Sequence, residues 1–163
     1  MNFQFEEKTI NALQWIVDIL DSHKIDYLIS GGFAGKIFGS NRELHDIDIN
    51  ISEKDFSKIL SEISKYIIYG PSRYKDDKWD CELITLNYEG QEIDISGIET
   101  ILISNKERTK WIHFSTDFSK TLDIDLSGIK IKVIDPKNFI EYKKELDGDH
   151  QIDDIKAAER YIV

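Results

Sequence analysis

The run H-D-I-D-I-N-I, His45 to Ile51, sets two carboxylates one residue apart within strict alternation. In a strand, side chains two apart share a face, so Asp46 and Asp48 project together while Ile47, Ile49 and Ile51 turn to the core. Two like charges about 4 Å apart repel by about 4 kcal/mol at an effective dielectric near about 20. Such a pair in a cleft wants a divalent cation or a shared proton, and magnesium, which takes hard oxygen ligands from one or two carboxylates, suits it. The same alternation of acid and isoleucine recurs in E-I-D-I-S, Glu92 to Ser96, and in L-D-I-D-L, Leu122 to Leu126, and any half-exposed strand looks like this. Only Asp46 and Asp48 follow a Gly-Gly pair, Gly31 and Gly32, with thirteen residues between Gly32 and Asp46. At a glycine turn the backbone approaches a ligand closely, and the amides opening a following helix attract anions.

The elements that must position these groups follow from periodicity. Ile10, Leu13, Ile16, Val17 and Leu20 recur at helical spacing, and D-Y-L-I-S before Gly31 reads as a short strand leading through a tight turn into a short helix, F-A-G-K-I-F. After the acidic strand, Phe56, Ile59, Leu60 and Ile63 mark a second amphipathic helix with Ser52 at its N-cap. Residues 81–96 hold two alternating runs flanking Glu89-Gly90, a hairpin signal, and residues 121–134 hold another that turns at Ser127-Gly128. Residues 69–79, with Gly70-Pro71 and a cluster of charges, read as a surface loop. Pro136 opens the first of two short C-terminal helices separated by D-G-D-H-Q-I. Helices around a mixed or antiparallel sheet predict an α+β fold.

Composition narrows the function. At 163 residues with 40% hydrophobic content the chain suits one domain, residues 1–163, with a core to about residue 100 and a C-terminal hairpin and helices over about 120–163. A net charge of -10 repels nucleic acid and anionic membranes and favours cationic or neutral small partners. No run approaches the roughly 18 apolar residues of a membrane span, and the start M-N-F-Q-F-E-E-K lacks the order of a secretion signal, so a cytoplasmic protein is expected. The lone Cys81 excludes an internal disulfide and a thiolate zinc cluster, and reads as a packed thiol.

The order strand, S-G-G, short helix, loop and R-x-x-H-D-I-D-I resembles the nucleotidyltransferase superfamily of DNA polymerase β type, and most of all the small lincosamide and aminoglycoside nucleotidyltransferases. The resemblance covers most of the chain and is weakest at the C-terminus, V-I-D-P-K-N-F-I to D-D-I-K-A-A. It implies the palm-like fold and transfer of a nucleoside monophosphate from a nucleoside triphosphate, ATP by preference, to a hydroxyl of a small acceptor such as an antibiotic. It implies two Mg²⁺ ions on Asp46, Asp48 and a third acid, Asp94 of Y-E-G-Q-E-I-D-I-S, with Asp123 and Asp125 as rivals for that place. Ser30, Gly31 and Gly32 would cradle the β and γ phosphates, with Lys36 or Arg42 offsetting their charge and Lys143 within reach of the triphosphate. Asp94 would take the proton of the attacking hydroxyl, and Glu92, on the same face, would meet an acceptor amine. Tyr74, Trp79 and Trp111 are candidates to stack on a base or acceptor ring, against the plainer role of packing. Two departures bear on the acceptor: His150 stands alone where the family has a basic residue before its late Asp-x-x-Asp segment, and Ser96 where the antibiotic group often has histidine. The resemblance also implies a homodimer as one arrangement open to the chain, since minimal members of such folds often dimerise to wall the acceptor cleft. The competing readings are a carboxylate-metal phosphohydrolase or nuclease, which the charge disfavours, and a nucleotide-binding regulatory or toxin-antitoxin module, with protein or tRNA ends as further acceptors.

Overall fold

The computed structural model describes residues 4–163; Met1 to Phe3, on which part of the leader reading rests, lie outside them. Helix α1, Glu7–Ser22, buries Leu13, Ile16, Val17 and Leu20 along one stripe. Strand β1, Tyr27–Ser30, runs directly into α2, Gly31–Ile37, so the glycine pair forms the first turn of the helix rather than a turn before it. Strand β2 is Asp46–Ile51, and α3, Phe56–Ile63, follows a 3-10 turn at Glu53–Asp55. The expected cap at Ser52 is not made. Its hydroxyl is given to the Glu99 carboxylate, which also accepts the Glu53 N–H at 2.8 Å, so a distant acid caps this turn.

Strands β3, Ile67–Lys75, and β4, Trp79–Tyr88, form a hairpin, and β4 turns at Glu89-Gly90 into β5, Gln91–Gly97. Here the loop expected over residues 69–79 is corrected: most of it is the edge strand β3, antiparallel to β4. The Gly70-Pro71 peptide, which is cis, falls where the register shifts between Tyr69 and Ser72, and an edge strand tolerates such an interruption as a bulge. Two short strands follow, β6, Leu102–Ser104, and β7, Trp111–His113, then the second hairpin, β8, Leu122–Leu126, and β9, Ile129–Val133. Helices α4, Pro136–Lys143, and α5, His150–Ile162, close the chain, with α5 starting inside the stretch expected to separate them.

The nine strands of the described residues join one mixed sheet in the order β7-β6-β4-β5-β2-β1-β9-β8, with β3 on β4. The β2 and β5 pair is parallel and its flanking pairs β1/β2 and β4/β5 are antiparallel, the α+β arrangement predicted. The two faces divide the labour. Gln91 shares the face of Ile93 and Ile95, and Thr9 of α1 hydrogen-bonds it at 2.6 Å, so α1 covers the apolar face and the acids of β2 and β5 look the other way. No helix among the described residues is long and apolar enough to cross a membrane.

Helix α4 carries two residues to the acidic face, and its start is capped by Asp135, which accepts the Asn138 N–H at 3.2 Å. Asp135→Ala is expected to lower stability by about 1 kcal/mol, read as a lower urea midpoint at unchanged slope.

Candidate active site

The register of four neighbouring strands builds the site. Pairing of β2 with β5 sets Asp46 against Glu92 and Asp48 against Asp94, while β1 sets Ser30 against Asp48 and β4 sets Thr85 against Asp94. Side chains at paired positions of adjacent strands share a face, so three carboxylates converge: one oxygen each of Asp46, Asp48 and Asp94 lie within 4.8 Å of one another. Burial, then the charges of Asp46 and Asp94, hold the Asp48 carboxyl well above the ordinary aspartate range, against the pull of Lys143 and Arg42. Asp46 is raised by burial and by Glu92. Asp94 is raised by burial and by Asp46, although the Thr85 hydroxyl donates to it at 2.6 Å and works the other way. Glu92 is raised by burial and by Asp94. A divalent cation relieves all of these at once. Three carboxylates with an oxygen each within 4.8 Å of the others are the hard donor set that magnesium takes.

The glycines of α2 leave room for charged groups. A Cβ on Gly31, whose φ is +63°, would stand 1.9 Å from Asp48 Oδ2; one on Gly32 would stand 2.3 Å from an Arg42 terminal nitrogen; and one on Gly35 would stand 2.8 Å from Asp154 Oδ1. The Gly31 N–H donates to the Tyr142 hydroxyl at 2.7 Å, and the Ser30 hydroxyl to Asn50 Oδ1 at 2.8 Å. Behind the cradle lies a cationic pair. Arg42 Nε and Lys143 Nζ each sit 3.0 Å from Asp154 Oδ2, contacts of opposite charge without an aligned hydrogen bond, and Lys143 also donates to Gln151 Oε1 at 2.9 Å.

These groups face one cavity of about 430 Å³, lined by Ser30, Gly31, Gly32, Arg42, Asp46, Asp48, Glu92, Asp94 and Lys143 among the residues read from the sequence. Lys36 is not brought there; its ammonium lies 5.6 Å over the Phe5 ring. Asp123 and Asp125 stand on the edge strand β8, where Lys132 pairs with Asp123 and Asp125 accepts the Gly128 N–H, so they do not compete with Asp94. Tyr74 and Trp79 line the cavity, whereas Trp111 is an exposed ring under Lys75. His150 is exposed, and its Nε2 contacts Gln151. Cys81 lines the cavity as a packed thiol, its pKa pushed up to about 11 by burial.

Sequence reasoning missed Asp76, Thr85, Asn50, Tyr142 and Asp154. Asp76 faces the cavity but is spent on the β3/β4 turn, accepting the Lys78 and Trp79 N–H groups at 2.7 and 2.6 Å and the Tyr74 hydroxyl at 2.8 Å. For Asp154 a signal existed: with Gln151 and Ala158 it follows the buried helical stripe, where an unpaired acid is out of place.

A family model described as aminoglycoside-2''-adenylyltransferase matches residues 12–153. Among solved structures the chain is similar to a Thermotoga maritima protein described as a nucleotidyltransferase, at 18% identity and TM-score 0.73, over 98% of this chain and 95% of that one. It is similar to the lincosamide antibiotic adenylyltransferase LnuA, solved with lincomycin, at 18% identity and TM-score 0.62, over 98% and 99%. A third is ANT(2'')-Ia in complex with adenylyl-2''-tobramycin, at 10% identity and TM-score 0.63, over 95% and 90%. At these identities the likeness is one of fold. No curated protein matches the sequence.

Proposed function

The chain belongs to the aminoglycoside-2''-adenylyltransferase family and is a nucleotidyltransferase, and from that premise we propose that it moves the nucleoside monophosphate of ATP to a hydroxyl of a small, antibiotic-type acceptor. The observation that carries this reading is the meeting of Asp46, Asp48 and Asp94 on the same cavity as the Gly31-Gly32 helix start, Arg42 and Lys143. Asp46, Asp48 and Asp94 would hold two Mg²⁺ ions, which would supply charge neutralisation for the triphosphate and a lowered pKa for the attacking hydroxyl.

The remaining work falls to the chain's own groups. Asp94, positioned by Thr85, takes the proton of the acceptor hydroxyl as its oxygen bonds to the α phosphorus and the bond from that phosphorus to the pyrophosphate oxygen breaks. Arg42 and Lys143 offset the charge that gathers on the leaving pyrophosphate, and the backbone of Ser30, Gly31 and Gly32 admits it closely because no side chain intervenes. Glu92 is the carboxylate beside the triad available to an acceptor amine. Tyr74 and Trp79 offer rings to the base or the acceptor.

The test is incubation with each labelled nucleoside triphosphate, Mg²⁺ and a panel of aminoglycosides and lincosamides. One pyrophosphate released per nucleotidylated acceptor, with ATP preferred and Asp94→Ala inactive, is the expected result. Inorganic phosphate as product, or tight nucleotide binding without turnover, would replace this reading by a hydrolase or a sensor.

A further inference from the structure

Asp154 is a carboxylate with 0% exposure on α5, and it touches groups from three other parts of the chain. Arg42 comes from the loop before β2, Lys143 from the end of α4, and Gly35 of α2 lacks the side chain that would collide with it. A structural brace does not account for it. Buried ion clusters contribute little net stability compared with apolar packing, and neither Asp154 oxygen finds an aligned hydrogen bond. What the carboxylate does is hold two cations together that would otherwise repel. Arg42 Nε faces Asp154, while its terminal nitrogen lies against Gly32 at the cradle. Lys143 Nζ pairs with the charge of Asp154 at 3.0 Å and donates to Gln151, and Lys143 is among the residues that line the cavity. Burial pushes the Lys143 pKa down, and the charge of Asp154 is the chief influence pushing back.

We infer that Asp154 is a positioning residue for the pyrophosphate part of the nucleotide: it fixes Arg42 and Lys143 as a preformed clamp without touching the ligand itself. The inference rests on the nucleotidyl transfer proposed above and adds to it which residue orders the clamp. Pre-ordering sets how tightly pyrophosphate and triphosphate bind, and leaves the acceptor end of the cavity untouched.

Two variants test it. Asp154→Asn removes the charge at constant shape; Gly35→Ala keeps the charge but pushes the carboxylate aside, and alanine inside a helix is otherwise favourable. Both are expected to raise the KM for ATP about tenfold and to weaken calorimetric binding of magnesium pyrophosphate by a similar factor, with the acceptor KM unchanged. Unchanged pyrophosphate affinity in either folded variant overturns the inference, as does a rise of both KM values together. Pyrophosphate binding is read without turnover, so a parent protein that binds it but transfers no nucleotide would sink the proposed reaction and leave this test standing.

Discussion

Asp48→Asn is expected to abolish nucleotidyl transfer and, without magnesium, to melt several degrees above the parent. In the proposed reaction the triad holds a cation, and without one three carboxylates face one another within 4.8 Å. Two unit charges about 4 Å apart at an effective dielectric of about 20 repel by about 4 kcal/mol, so even partial relief of one charge gains about 1–2 kcal/mol, or about 3–6 °C in a domain of this size. The sign follows from the raised Asp48 pKa. Folded protein binds more protons than unfolded between the ordinary aspartate value of 3.8 and the raised one, so the penalty is absent below 3.8 and grows as pH rises through the folded value. The melting difference between variant and parent should therefore be nil at low pH and widen towards neutrality. Magnesium should reverse it, because a ligand at about a hundred times its Kd adds about 2.7 kcal/mol to a protein that binds it and nothing to one that does not. Activity should fall by about a thousandfold or more, since a metal ligand carries several kcal/mol of transition-state stabilisation and about 1.4 kcal/mol is tenfold in rate. A variant that loses activity without gaining metal-free stability would mean that the acids are not in mutual repulsion.

Much of this arrangement was legible because strands and turns advertise themselves locally. The alternation through Asp46 to Ile51 and Gln91 to Gly97 gave both acidic strands, and the resemblance, not the periodicity, singled out Asp94 over the equally regular Asp123 and Asp125. What separates them is sheet order, which depends on pairings far apart in sequence: β5 joins β2, while β8 lies at the edge. Lys36 and Lys143 show the same limit from opposite sides. Lys36 sits in the glycine helix yet reaches away to Phe5, a partner no local period reveals. Lys143 follows Phe139 by four residues and so belongs to the buried stripe of α4, with 3% exposure, where a lysine read by composition alone looks like a solvated one. The β3 strand was hidden by Gly70-Pro71, since a proline signal outweighs a half-exposed edge strand whose pairing lies in β4.

Gly31→Ala should be nearly as damaging to activity as loss of Asp48 itself, through two separable effects. The backbone there is left-handed, at φ +63°, which disfavours any Cβ by about 1–2 kcal/mol. The added methyl would also sit 1.9 Å from Asp48 Oδ2 and 2.8 Å from its carboxyl carbon, so the side chain proposed to hold the metal must swing away or the start of α2 must move off β2. Gly128, in the β8/β9 turn at φ +90° with no atom within 4 Å of its would-be Cβ, isolates the first effect. Gly128→Ala is expected to lose about 1–2 kcal/mol of stability and keep its kcat. Gly31→Ala should lose a similar amount of stability, lose transfer by at least about a hundredfold, and no longer gain melting temperature on addition of magnesium. If the two alanine variants proved alike in activity, the glycine would be serving the chain's bend alone, and the space it leaves for Asp48 would have no part in catalysis.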